Sequence, residues 1–236
     1  MERKFNFEIG GYYHVYNRGV ERREVYLNPA QYNRFMYLLY LSNTSSPLRM
    51  DGILQNKKGL TSLEMAEIIF TQKRKERLVD IGAYCLMPNH FHLLLKEREE
   101  NGISKFMQKI TTGYTMFFNK KHERSGALFG GTFQATTVNN DEYLKYLFAY
   151  IHLNPVKLID SDWKKGKIVN KQYAKEYLEN YPFSSYFEYV GKDRVEKSIL
   201  NKVEFPEYFM DKKEFSDFIE DWISFDENEI YQPKPK

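Results

Sequence analysis

The chain has a single cysteine, Cys85, in 236 residues. One thiol excludes an internal disulfide framework and any cysteine-built zinc cage. Apolar runs are short, and none reaches the roughly 18 residues that a membrane-spanning helix needs. The opening residues, MERKFNFEIG, lack the apolar stretch of a secretory leader. Internal repeats are absent as well. A cytoplasmic protein without membrane association is the expectation from these absences.

What is present is ordinary globular material with two biases. Hydrophobic residues at 42% and charged residues at 28% are enough to build a core and to solvate it. The net charge of +3 hides a division: residues 201–236 hold 5 Lys and 10 Asp and Glu, so the first 200 residues carry +8. A basic body suits a polyanionic partner. Aromatic side chains make up 17% of the chain, and although most belong in a core, rings among basic residues also suit stacking on unpaired bases.

Residues 11–17 (GYYHVYN) read as a strand, followed by a basic loop with Arg18, Arg22 and Arg23. Pro29 opens a helix through QYNRFMYLLYL, and 43–59 form an irregular excursion. Thr61 and Glu64 make a capping box for a helix that runs to the basic cluster Lys73, Arg74, Lys75, Arg77. Residues 78–87 and 90–96 read as two strands joined by the Pro88–Asn89 turn. A helical apolar pattern covers 102–121, and a fourth strand covers about 128–138. Asn139 and Glu142 cap a last helix, which Asn154–Pro155 must close because a residue before proline avoids helical geometry. The order β-α-β-β-α-β and then helix predicts an α+β, ferredoxin-like antiparallel sheet with helices on one face. The expected organisation is one domain over 1–169, interrupted by an excursion at about 43–77. A helical, acidic extension over 170–236 follows it.

Two constellations carry chemistry. His90 and His92 flank Phe91 on a strand, so both imidazoles project from one face and can chelate one cation; a polar pair on an exposed sheet face is the competing reading. Tyr150 and Asn154, four residues apart, lie on one face of the last helix beside its core stripe of Leu144, Leu147, Phe148 and Ile151. A phenol with its ordinary pKa near 10 is a poor nucleophile unless the electrophile is activated, and a metal on a phosphodiester supplies that activation. Read alone, this pair more often means a packing tyrosine and a helix-ending asparagine.

The segments YHVYNRG (13–19), YCLMPNHFHLLLK (84–96), DEYLKYLFAYIHLNPVK (141–157) and YPFSSY (181–186) resemble the single-tyrosine HUH transposases, in particular the REP-associated tyrosine transposases and their chromosomal relatives. The resemblance implies that His90 and His92 bind a catalytic Mg²⁺ or Mn²⁺ and that Asn154 completes the metal site. It also implies that Tyr150 is the nucleophile. Tyr143 and Tyr146 are rivals on the same helix, but neither has a metal-binding side chain four residues on. His14 is a possible supporting residue. Arg18, Arg22, Arg23 and Lys157 are candidate contacts to DNA phosphates. The implied substrate is single-stranded DNA with hairpins, cleaved through a 5′-phosphotyrosine by a monomer or a homodimer. Thr132 and Gln134 stand where family members often carry basic residues, and Leu158–Ile159–Asp160 replaces the common small-residue continuation. Those departures keep open a catalytically silent nucleic-acid-binding regulator on the same fold; a metal-dependent nuclease in which water attacks is a further alternative.

Overall fold

The computed structural model describes residues 6–46, 48–160, 168–209 and 211–224. Its sheet has four strands in the order β2-β3-β1-β4: β1 (Tyr12–Arg18), β2 (Val79–Met87), β3 (His90–Glu97) and β4 (Gln134–Val138). Each neighbouring pair is antiparallel. That is the ferredoxin-like arrangement expected from the element order. The helices are α1 (Pro29–Leu41), α2 (Met50–Ile53), α3 (Ser62–Phe70), α4 (Gly102–Lys121), α5 (Asp141–Leu153), α6 (Lys171–Glu179), α7 (Tyr186–Tyr189) and α8 (Lys212–Ser224).

Strand alternation sorts the side chains onto two faces. Tyr13 and Val15 of β1 lie with Phe91, Leu93 and Leu95 of β3 and Ile81, Tyr84 and Leu86 of β2. Against them α1 and α4 bury Phe35, Leu39, Phe106, Ile110 and Tyr114. The opposite face carries Ala83, Cys85, Met87 and Leu94, covered by Leu144, Leu147, Phe148 and Ile151 of α5 together with Tyr181 and Phe205. The two helices of the β-α-β-β-α-β unit therefore share one face, and the helix that follows it closes the other. The two faces stay in phase along β2 because of a bulge at Gly82, between the pairs Ile81–Leu95 and Ala83–Leu94. A Cβ on Gly82 would stand 2.6 Å from the Phe205 ring, so the glycine also lets the C-terminal region press onto the strand.

Local chemistry corrects several boundaries. The helix capped by the Thr61–Glu64 box stops at Phe70, before the basic cluster. The excursion contains the single turn α2. Strand β4 starts only at Gln134; ahead of it Leu128 and Phe129 are buried outside any strand, Phe129 through an isolated bridge to Gly19, and Gly131 turns the chain at φ 112°. The cap of α5 is Asn140, whose side chain accepts from the Tyr143 N–H, rather than Asn139. Asn154 keeps helical geometry (φ −52°, ψ −37°), and a 3-10 turn runs on to Leu158 despite Pro155. Burial of Leu153 and Val156 with Leu178, Phe215 and Ile219 outweighs the pre-proline preference there.

The C-terminal region, of which 225–236 lies outside the described residues, is less helical than expected and closely joined to the sheet. The Leu86 N–H donates to the Phe183 carbonyl and the Ser185 N–H to the Tyr84 carbonyl, so the YPFSSY segment runs beside β2. Arg194 fastens that segment: it pairs with Glu188 and donates to the carbonyls of Pro182 and Ser184.

Candidate active site

His14 and Tyr16 of β1 and His90 and His92 of β3 fall on the α5 face because strand alternation puts them there, in the two central strands of the sheet. Tyr16 is the cross-strand partner of His92, and Arg18 that of His90. The His14 and His92 rings are joined by a 2.9 Å Nε2–Nδ1 hydrogen bond, and all three histidines are buried. His90 Nδ1 lies 2.6 Å from Asn89 Oδ1. An amide oxygen only accepts, so Nδ1 carries the proton and Nε2 keeps its lone pair. The His90 and His92 ring centroids are 5.1 Å apart.

Helix α5 crosses above these strands. Its stripe of Leu144, Leu147, Phe148 and Ile151 is anchored in the core, which turns the half-buried Tyr150 toward the histidines. The Tyr150 ring stands 5.4 Å from His92 and 5.7 Å from His14, edge-on to both. Asn154, one turn later, is buried and donates from Nδ2 to the Tyr150 carbonyl at 2.7 Å. Burial works against ionisation of the rival tyrosines. Burial pushes the Tyr143 phenol up to about 12 and raises that of Tyr146 as well.

These side chains line one open cleft of about 650 Å³. Arg18, Glu21, Arg22 and Lys157 form one part of its wall; Tyr16, Thr132, Gln134 and Thr136 form another. A smaller groove of about 340 Å³ continues past Arg18, Arg22, His90 and Lys157, so the cationic wall extends beyond the histidines. Of the residues expected from sequence, His14, His90, His92, Tyr150, Asn154, Arg18, Arg22 and Lys157 come together here, and Arg23 is exposed outside the lining. Tyr16, Glu21 and Asn89 had not been singled out. Tyr16 could have been found, since it is two residues from His14 on the same strand. Among the described residues no three His, Cys, Asp or Glu side chains converge as a metal cage.

His152 resolves differently from its neighbours in the YIHLNP run. It is fully buried, Nδ1 donates to the Phe148 carbonyl at 2.7 Å, and Nε2 lies 2.7 Å from Ser185 Oγ. Ser185 Oγ in turn accepts from the Tyr84 N–H at 2.9 Å. Burial drives the His152 pKa down to about 3, which keeps the ring neutral. The histidine is a structural tie between α5, the YPFSSY segment and β2.

A family comparison bears on the resemblance read from the sequence. Residues 55–154 match the family described as IS200-like transposases. The matched stretch contains both histidines and Tyr150 and ends on Asn154. The matched stretch runs from ahead of α3 through α5 and holds every residue of the candidate metal and nucleophile set, whereas β1, with His14, precedes it. The chain is also similar to a solved structure of a REP-associated tyrosine transposase bound to a REP hairpin. That similarity has 15% identity and a TM-score of 0.46, over 83% of this chain and 90% of the other. No curated protein matches the chain. No helix among the described residues is long and apolar enough to cross a membrane.

Proposed function

We propose that the protein nicks and rejoins single-stranded DNA by transesterification, with Tyr150 as nucleophile and with His90, His92 and Asn154 holding Mg²⁺ or Mn²⁺. One observation carries this reading: the Tyr150 ring stands 5.4 Å from His92 in a cleft that Arg18, Arg22 and Lys157 make cationic.

The donor set fits a hard divalent ion. His90 keeps its Nε2 lone pair because Asn89 takes the Nδ1 proton. His92 does the same when its Nδ1–H donates to His14 Nε2, which gives His14 the role of orienting His92. The Asn154 amide oxygen supplies the oxygen donor that two imidazoles lack. Such an ion, when bound, withdraws charge from the scissile phosphate.

Arg18, Arg22 and Lys157 hold the DNA backbone, and Tyr16 offers a half-buried ring to a neighbouring base. The Tyr150 Oη gives up its proton and attacks phosphorus in line. The bond from phosphorus to the 3′-oxygen breaks, that oxygen takes a proton, and the 5′-phosphate stays on Tyr150. The new ester keeps the energy of the phosphodiester, so an incoming 3′-hydroxyl reverses the step without ATP. Tyr150 and the histidine pair meet within one chain, so a monomer suffices, although a homodimer is compatible with the same chemistry.

The test incubates the protein with Mn²⁺ and single-stranded hairpin oligonucleotides and looks for a protein–DNA adduct that survives denaturation. The reading requires an adduct that disappears in Tyr150→Phe and on chelation of the metal. Cleavage that survives Tyr150→Phe makes the protein a hydrolytic nuclease. Binding of hairpins without cleavage or adduct makes it a regulator.

A further inference from the structure

A second cavity, of about 510 Å³, lies where the C-terminal region meets α5, and no residue lines both it and the cleft. Its size suits a small organic molecule. Phe148 of α5 is buried in its wall. The rings of Tyr189, Phe205, Tyr208 and Phe209 stand 5.5–6.5 Å from Phe148, at 68–89° to it. Hydroxyl bonds fix two of those rings: Tyr189 donates to the Gly82 carbonyl at 2.8 Å and Tyr208 to the Asp141 carboxylate at 2.5 Å. Aromatic edges and faces therefore enclose the space in a fixed arrangement before anything enters it.

Two lysines also line the cavity. The stem of Lys202 is exposed, but its ammonium group sits 3.9 Å from the Tyr189 ring centre and donates to the Glu188 carbonyl at 2.7 Å. Loss of water there lowers its pKa. The Glu188 carboxylate does not neutralise it, because Arg194 holds that group. Lys212 crosses Gly191, whose φ of 77° and missing Cβ leave room for the lysine stem. Of the other acidic residues in the lining, Asp211 accepts the Lys213 and Glu214 N–H groups at the start of α8, and Glu207 is exposed. The cavity thus combines apolar rings with an ammonium that, among the described residues, lacks a paired carboxylate.

Those features select a ligand. A cation meets Lys202 already on the Tyr189 ring and Lys212 beside it. A neutral hydrocarbon fills the ring-lined space but dries the ammonium further without pairing it. A flat ring that carries one carboxylate meets both demands, ring against ring and carboxylate against ammonium. We propose that this cavity is a binding site for a small aromatic carboxylic acid, held by the rings around Phe148 and paired with Lys202. The proposal goes beyond the DNA-nicking reading and stands without it.

The test titrates the full chain with 2-naphthoate, the neutral 2-naphthamide and the cationic 2-naphthylmethylammonium, read by calorimetry and by ligand-observed NMR. The expected result is a single site per chain for 2-naphthoate, with 2-naphthamide bound about tenfold more weakly and the cation more weakly still. Lys202→Met keeps an apolar stem at this exposed position and removes the difference between acid and amide. Phe209→Ala, shown by thermal melting to be folded, weakens both by about tenfold. Tyr150→Phe changes neither. No binding of 2-naphthoate at millimolar concentration overturns the proposal, as does an acid–amide difference that survives Lys202→Met. Displacement of the probe by a single-stranded oligonucleotide, or its loss in Tyr150→Phe, places it in the cleft and overturns the proposal too.

Discussion

Tyr150 and His152 are two residues apart on α5, which turns them ~200° from each other around the helix, and their surroundings have nothing in common. On one side the half-buried phenol opens onto a cleft with three imidazoles, an amide and several cations. On the other the imidazole is sealed among Phe148, Tyr189 and Phe215 and fully hydrogen-bonded. A short motif such as YIHLNP therefore joins a residue open to the cleft to the residue that holds its helix against the sheet. The difference teaches that residue type does not assign a role: of the four buried histidines, three face the cleft and the fourth is framework.

Substitutions on the two sides should separate chemistry from stability. The largest effect belongs to the cleft: His92→Ala should lower adduct formation by a hundredfold to a thousandfold, on the order of what a preorganised electrostatic group contributes. Its urea midpoint should fall less than that of His152→Ala, because the His92 ring borders the open cleft, and equal falls in the two variants would break the contrast. His152→Ala should do the reverse. It removes a buried ring and leaves Ser185 and the Phe148 carbonyl without their partner, a cost of about 3 kcal/mol. Denaturant titration measures that loss, while the activity of the remaining folded protein should hold.

Acid should act through the framework histidine. Folded His152 stays neutral down to about pH 3 because it is desolvated, whereas in the unfolded chain it takes a proton near pH 6.5. Between those values the unfolded state binds more protons, so stability falls as pH drops below about 6.5. Its share is about 2 kcal/mol between pH 7 and pH 5. Urea titrations of the wild type and His152→Leu at both pH values should differ by that amount; parallel curves would remove His152 as the source. The smallest effect concerns the loop after β1, where Glu21 (φ 54°) adopts left-handed geometry. Glu21→Asn, a residue that tolerates left-handed geometry, should stabilise the fold by about 0.5–1 kcal/mol in thermal melting. A loss of stability would mean that Glu21 contributes contacts of its own.

Much of this was legible in the residues. Strands β1, β2 and β3 follow from the runs 11–17, 78–87 and 90–96, because β-branched and aromatic alternation leaves few other solutions. Helix α4 spans the predicted 102–121, since its apolar spacing is long and regular. The pairing of His90 with His92 follows from period two alone, and Tyr150 with Asn154 from one helical turn. What stayed hidden depends on tertiary context. Gly82 reads as any strand glycine until Phe205 is seen lying on it. Asn154 reads as a helix stop until the buried Leu153 and Val156 keep the chain winding. The C-terminal region makes its contacts from loops and short turns, as Ile199, Phe205 and Arg194 show, and such segments carry no periodicity to read. Arg23 shares its loop with Arg18 and Arg22 but not their direction, which depends on backbone angles that composition does not reveal.

The central claim is that Tyr150, and not its neighbours on α5, becomes bonded to DNA. Tryptic digestion of the denatured adduct, nuclease trimming of the bound strand and fragmentation of the peptide YLFAYIHLNPVK locate the attachment directly. The account predicts a phosphonucleotide on Tyr150, with Tyr146 unmodified. A phosphonucleotide on Tyr146, or on a Tyr143 peptide, would contradict it.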